Sequence, residues 1–295
     1  MKAHPTFWPV AAALLGIAFL ALMDVLMKGA SLAIGAFSAA WLRSVLGAGL
    51  ATPLWLARSG RWPARKVLRL HVLRGVVSAF MALSFFYALT KLPIAETIAI
   101  SFVAPLIALY FARVWLNEVI RPAALAASAL GFAGTLVIVW GKLQHGALTA
   151  DTLLGLAAIL FSTMLYATNF ILIRMQSQLA GPLEIATFHS AVGALILAVT
   201  APFLFVVPGM ETLIAIFGAA VLTVAGAMTI AWAYARAETQ VLMPMEYSSF
   251  LWAALLGWLV FGERVTGTTV LGTAIIVTAC LIAARRPARP APVAL

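Results

Sequence analysis

Glu246 is an acid inside an apolar run. Pro244 precedes it, and Tyr247, Ser248 and Ser249 follow. The proline lacks a backbone donor and loosens the helix around it, which frees carbonyls. A carboxylate, a phenol and hydroxyls beside freed carbonyls suit an ammonium group, which they bind by charge and by hydrogen bonds. The plainer role for Glu246 is a pair with a buried base that only fixes packing. About 145 residues earlier Ser101 stands in the equivalent place, and Pro105 interrupts that run too. Ser101 is expected to contact the same bound molecule, against a plain role in helix packing. Pro105 and Pro244 are expected to kink their helices and to serve as gating points.

An ionisable group within an apolar span costs about 3 kcal/mol at a membrane helix centre, so each one needs a partner or water. Asp24 lies in the first apolar run, with Lys28 four residues on. The pair either neutralises itself along one helix face or leaves Asp24 free to bind. Asn169 lies at the matching depth of the second half, and its amide both donates and accepts. Arg43 and His189 occupy equivalent places, and a polar clamp to a neighbouring helix is the favoured role for both. Glu96, near Pro93, is expected to be a solvated end residue beside Lys91. Among many aromatics, Tyr87, Tyr166, Tyr247 and Trp232 are expected to face the interior. Each would stack on a bound ring at about 0.5–1.5 kcal/mol beyond burial.

Elements to hold these groups follow from composition. The chain is 64% hydrophobic and 9% charged, with a mean hydropathy of +1.07. A soluble domain carries about 25% charged residues. The expected class is therefore an all-α membrane protein. No period-two alternation suggests barrel strands. Ten segments of spanning length can be drawn, at 7–30, 35–57, 70–89, 93–116, 122–141, 152–175, 182–207, 212–235, 240–261 and 267–284. The first is too long for a signal-peptide core and is read as a retained helix. Asp151 is read as the cap of the sixth.

The net charge of +10 is read as topological rather than as a nucleic-acid footprint. With the N-terminus inside, fourteen Lys and Arg fall inside, Arg74 among them, and four fall outside (Lys28, Lys91, Lys142 and Arg264). That assigns both termini to the cytoplasm. The single cysteine, Cys280, makes no internal disulfide, and the four histidines have no metal-ligand spacing. No cofactor, metal or catalytic residue is expected. An intramembrane protease would need paired aspartates or a Ser/His dyad, and neither pattern is visible.

The chain also matches itself at an offset of about 145 residues. Trp41-Leu42-Arg43-Ser44 with Gly47-Ala48 corresponds to Thr187-Phe188-His189-Ser190 with Gly193-Ala194. Lys28 falls on Arg174, and Asn117-Glu118 on Gly262-Glu263. The expected division is 1–145, 146–285 and a disordered cytoplasmic tail at 286–295. Five helices per half is an odd number, so the second copy must enter the membrane from the opposite side. This makes an inverted repeat around a central cavity. Gly131-Phe132-Ala133-Gly134 and the 267–272 stretch let helices five and ten pack closely, as a strut or as a homodimer face.

Segment nine, from Met245-Glu246-Tyr247-Ser248-Ser249 to Phe261-Gly262-Glu263-Arg264, resembles the EamA-type half-domain of the drug/metabolite transporter superfamily. So do Asn169-Phe170-Ile171-Leu172-Ile173-Arg174, the Arg43 position and Ser101 to Glu118. The first copy departs from the pattern at Asp24, where the second has Asn169, and His189 replaces Arg43 in the second. The resemblance implies a ten-helix carrier of small metabolites in the bacterial inner membrane, and no enzyme. Its members handle amino acids, drugs, sugar phosphates and nucleotide sugars. The general likeness is to bacterial exporters of aromatic amino acids. Alternating access around Pro105 and Pro244 is the expected mechanism, with a small-molecule substrate and the lipid bilayer as partners. A carrier of phosphorylated metabolites is the alternative. It would need more basic groups in the cavity than Arg43 and Lys28.

Overall fold

The computed structural model describes residues 7–58, 61–115, 126, 129–134, 136–137, 140–141, 149–237, 242, 245–246 and 248–284. Pro244, Tyr247, the Asn117-Glu118 turn, Lys142 and the 286–295 tail lie outside them. The described residues form helices joined by short turns. In order they are α1 (Phe7–Ile34), α2 (Ala36–Arg58), α3 (Arg65–Lys91), α4 (Ile94–Ser101), α5 (Val103–Trp115), α6 (Ala150–Ser177), α7 (Pro182–Ala198), α8 (Ala201–Leu204), α9 (Met210–Tyr234), α10 (Ser248–Phe261) and α11 (Gly267–Ala284). Four of them, α1, α3, α6 and α9, are long and apolar enough to cross a membrane. The apolar side chains they leave exposed, such as Leu15, Phe80, Phe161 and Phe217, suit a lipid solvent.

Proline explains where two expected helices break. A proline ring collides with the carbonyl four residues earlier. Segment four stops at Ser101, four before Pro105, and Pro105 falls in the first turn of α5. Segment seven stops at Ala198, four before Pro202, and continues as the one-turn α8. Pro53 is carried inside α2 without a break. Gly35 alone separates α1 from α2, at φ 81°. That left-handed conformation costs an L side chain about 1–2 kcal/mol. A Cβ there would meet nothing within 4 Å, so Gly35→Val should lose about that much stability through the backbone alone. A thermal melt in detergent, with Gly35→Asn losing less, checks it.

Two sequence expectations about ends are corrected. Helix α3 starts at Arg65, not near 70, because Arg65, Lys66 and Arg69 continue the helix past the apolar span. Arg74 is thus well inside α3 and buried, not in a loop. The cap of α6 is Thr149, whose Oγ1 accepts from Thr152 N at 3.1 Å. Asp151 sits in the first turn and binds Lys91 Nζ at 2.8 Å.

Packing between the halves is reciprocal. Helix α9 runs antiparallel to α1, with Gly16 against Ile230 and Gly218 against Leu26. Helix α6 runs antiparallel to α3, with Gly155 against Lys91 and Ser162 Oγ donating to Met81 O at 2.9 Å. The equivalent helices α2 and α7 pack on each other, also antiparallel. A Cβ on Gly47 would meet Ser190 Oγ, and a Cβ on Gly193 would meet Ser44 Oγ. Gly141 lies against Thr268, at the start of α11, so Ala284 lies sixteen residues further along that helix, about 24 Å away at 1.5 Å per residue.

Candidate functional site

A cavity of about 180 Å³ lies between α1, α2, α3, α4, α6, α7, α9 and the start of α10. Apolar walls come from residues such as Phe85, Phe86, Phe102 and Phe170. Four charged side chains share it: Asp24, Arg43, Arg74 and Glu246. Among the described residues the ion pairs are Lys28–Glu263, His71–Glu184 and Lys91–Asp151. None involves those four. Charges held in an apolar interior are costly unless hydrogen bonds or an opposite charge offset them, and here uncharged side chains bond Arg43, Arg74 and Glu246, while Asp24 and Arg43 attract each other through space.

Each group is held by its own helix. Glu246 sits in a single 3₁₀ turn just before α10, and its Oε2 accepts from Tyr166 Oη at 2.9 Å. Arg74 donates through Nε to Asn169 Oδ1 at 2.9 Å and through Nη1 to Gln176 Oε1 at 3.0 Å. Ser78 Oγ also donates to Asn169 Oδ1, at 3.1 Å. The chain of contacts continues outward. Gln176 Nε2 lies 2.9 Å from His71 Nδ1, and His71 Nε2 lies 2.9 Å from Glu184 Oε1. Phe188 stacks on the His71 ring at 4.5 Å between centroids. Arg43 donates through Nη1 to Thr223 Oγ1 at 3.0 Å and lies over the Phe86 ring.

Both ends of the bundle carry a cation bound to a helix-end carbonyl. At one end Lys28 Nζ donates to Leu92 O at 3.1 Å and pairs with Glu263. Glu263 Oε2 also accepts from Ile94 N at 3.0 Å, so one carboxylate caps α4 and neutralises Lys28. At the other end Arg174 Nη1 donates to Ala237 O at 3.1 Å and to Tyr234 O. Lys28 and Arg174 are equivalent positions, as are Leu92 and Ala237.

Of the residues expected to bind, Asp24, Ser101, Tyr166, Asn169 and Glu246 line this cavity. Three do not. Tyr87 is one position past Phe86, hence about 100° around the helix, and its ring faces Lys91 Nζ at 6.0 Å. Trp232 is two positions from both Ile230 and Tyr234, on the far side of α9. It stacks on the Arg236 guanidinium at 4.1 Å and lines a separate open groove with Arg58 and Glu184. Ser248, whose Oγ is buried, does not line the cavity, and its neighbour Ser249 does. Of the two roles left open for Asp24, the pair with Lys28 is not formed: Lys28 pairs with Glu263 toward the end of the bundle. Lys91 pairs with Asp151 rather than lying beside Glu96, and Glu96 is buried. Arg43 and His189 are clamped only in part: Arg43 holds Thr223, and both residues face the cavity.

Sequence reasoning missed Arg74, Ser78, Ser162, Thr223 and Tyr234 as lining groups. The available signal for Arg74 was its spacing. It stands nine residues after Arg65, in a run that stays helical throughout.

The EamA-like transporter family model matches residues 7–140 and again 153–285. A riboflavin transporter from Rhizobium johnstonii is 28% identical over 201 residues, 65% of this chain and 62% of that protein. An uncharacterised transporter from Helicobacter pylori is 25% identical over 62% of each chain. The chain thus spans under two thirds of the length of those two relatives. A pseudopaline exporter from Pseudomonas aeruginosa is 24% identical over 82% of this chain and 83% of its own. A solved crystal structure superposes at a TM-score of 0.69 with 21% identity, covering 94% of this chain and 99% of that one, which is a likeness of fold. With one match in each half, and together nearly the whole sequence, the chain belongs to the EamA-like transporter family.

Proposed function

We propose that this protein is a secondary transporter that exports small amphiphilic metabolites by alternating access, with hydrophobic or aromatic amino acids as the leading substrates. The observation that carries the reading is the shared cavity with two acids and two bases, of which Asp24 and Arg43 attract each other through space and none forms a direct ion pair with another. A zwitterion satisfies both signs at once. Its ammonium is received near Glu246 and Asp24, and its side chain lies against the phenyl rings.

The scaffold in this reading is ten helices in two inverted repeats. The antiparallel contact of the equivalent helices α2 and α7 supports it, because a two-fold axis between antiparallel equivalents lies across them. The position of Gly141 at the start of α11, a helix length from Ala284, supports it too. The bases Arg58, Arg61, Arg65, Lys66, Arg69, Arg113 and Arg236 belong to helix ends and turns of one end of the bundle, which makes that end cytoplasmic in a bacterial inner membrane. The two cation latches, Lys28 at one end and Arg174 at the other, are the contacts that alternate. The interruptions before Pro105 and near Pro244 are where the helices bend.

Purified protein in liposomes, given labelled tryptophan, phenylalanine and threonine, tests the substrate class. Saturable flux of at least one is expected, and no saturable flux of any overturns the amino acid reading. Glu246→Gln removes the charge and keeps the shape. A hydrogen bond to a charged group contributes about 1.5–3 kcal/mol, so transport efficiency should fall about 10- to 100-fold with an unchanged melting temperature. Unchanged kinetics would remove Glu246 from the site.

A second reading is a carrier of non-amino-acid metabolites. Arg74 and His189 join Arg43 in the cavity, which supplies the basic groups that the sequence had seemed to lack. The riboflavin transporter among the relatives also favours it. Adding labelled riboflavin and a sugar phosphate to the same flux assay separates the two readings.

A further inference from the structure

The cavity has an electropositive corner whose donors are only half used. Arg43 is 6% exposed and comes from α2. Its Nη1 is tied to Thr223, and the Phe86 ring covers one face of the guanidinium. Thr223 in turn donates to Ala219 O at 2.8 Å, so it accepts from Arg43 with its hydroxyl hydrogen already committed. The opposite edge of the fork carries Nε, which is buried with no hydrogen-bond partner among the described residues. A guanidinium edge made of Nε and the second Nη is the geometry that grips a carboxylate with two parallel bonds.

Two further groups converge on the same space. Arg74, 4% exposed, bonds Asn169 through Nε and Gln176 through Nη1. The His71–Gln176 contact holds that arrangement from behind. His189, the equivalent of Arg43 in the other half, has its Nδ1 buried without a partner. All three residues line the cavity. An orphaned buried donor costs about 1–3 kcal/mol. Arg43 Nε is such a donor, and His189 Nδ1 is a second in the tautomer that carries its proton there, so an anion in this corner removes a standing penalty.

We infer that Arg43, Arg74 and His189 form an oxyanion subsite that takes the carboxylate of the transported molecule. The inference deepens the transport reading, and rests on it, by fixing which end of the substrate lies where. The acid end meets α2, α3 and α7, and the amine or hydroxyl end meets Glu246 across the cavity. A singly charged carboxylate is preferred to a phosphate dianion. Asp24 and Glu246 already offset the charges of Arg43 and Arg74, so a zwitterion, whose own ammonium balances its carboxylate, leaves the cavity neutral, whereas a phosphate dianion leaves it with excess negative charge. Gln176 and His71 act as positioning residues, because they touch Arg74 and not the ligand.

Benzoate, benzamide and phenyl phosphate are isosteric enough to serve as probes, and none needs to be the natural substrate. The experiment is a thermal melt of the purified full chain in detergent against increasing probe. A ligand that binds the folded state raises the midpoint with the logarithm of its concentration. Benzoate is expected to bind about tenfold or more tightly than benzamide, as one charge-assisted contact implies, and phenyl phosphate no better than benzoate. Arg43→Gln is expected to abolish the difference between benzoate and benzamide. Gln176→Leu is expected to weaken benzoate while leaving benzamide unchanged. Equal shifts from benzoate and benzamide in the unmodified protein overturn the subsite, and that comparison needs no variant to fold. A benzoate preference that survives Arg43→Gln and Arg74→Gln overturns it as well. Flux is scored separately in liposomes. Saturable amino acid flux inhibited equally by benzoate and benzamide sinks the subsite and leaves transport standing. Benzoate-specific binding without flux of any compound sinks the transport reading and leaves the subsite.

Discussion

Lys28→Met should destabilise the protein by about 3–5 kcal/mol, the usual cost of removing one partner from a buried ion pair. Lys28 and Glu263 are 8% and 17% exposed at their side chains, so water replaces little of what is lost. Among the described residues Glu263 would keep Ile94 N as a donor and would lose the cation that it pairs with. Leu92 O would lose its donor as well. Removing both charges, by Lys28→Met with Glu263→Gln, should cost less than Lys28→Met alone, because no uncompensated charge stays behind. Melting of the three variants in detergent, arranged as a double-mutant cycle, reads the coupling. Additive losses would mean that the latch contributes no more than its separate parts. The same variants bear on transport, because the latch ties α1 to α4 and to the turn before α11. A loosened latch should favour the state open at that end.

Gly75→Leu is expected to be still more damaging. A Cβ on Gly75 would stand 2.4 Å from both Cβ and Cγ1 of Val192, well inside contact distance. Helix α3 would have to leave α7, and the cavity wall formed by Arg74 and Ser78 would move with it. Overpacking by a methylene or two costs about 1–3 kcal/mol, and a whole isobutyl group exceeds that range. The informative companion is a size exchange, Gly75→Ala with Val192→Gly. It should lose less than the sum of its single changes, since the new methyl group enters the space that the valine vacates. Expression level and melting temperature of the purified variants check both statements. A stable, well-expressed Gly75→Leu protein would contradict this packing of α3 on α7.

Sequence patterns made the repeat legible, and the structure explains why. Lys28 and Arg174 align within one residue of the duplication offset, and each donates to an equivalent carbonyl, Leu92 O and Ala237 O. Ser44 and Gly47 align with Ser190 and Gly193 because those four residues touch one another across the α2–α7 contact. Glu246, Asp24, Asn169, Ser101 and Tyr166 were legible because a polar group in an apolar run stands out against its surroundings. Which face an aromatic takes was not legible. These helices are apolar all round, toward lipid and toward the core alike, so periodicity does not separate the two sides. Tyr87 and Trp232 were misplaced for that reason. Arg74 was misassigned for the opposite one: it follows a basic loop closely enough to be counted with it, although the helix has already made more than two turns by then. The breaks at Ser101 and Ala198 follow from Pro105 and Pro202.

Sided labelling of single cysteines tests the two-halves account most directly. In a Cys280→Ser background, a cysteine replaces Thr149, at the start of the second half, or Arg285, just past α11. Vesicles of known orientation then meet a membrane-impermeant thiol reagent. The account predicts that the Thr149 position reacts only from the outside and the Arg285 position only from the cytoplasmic side. Reaction of both positions from one and the same side would contradict it.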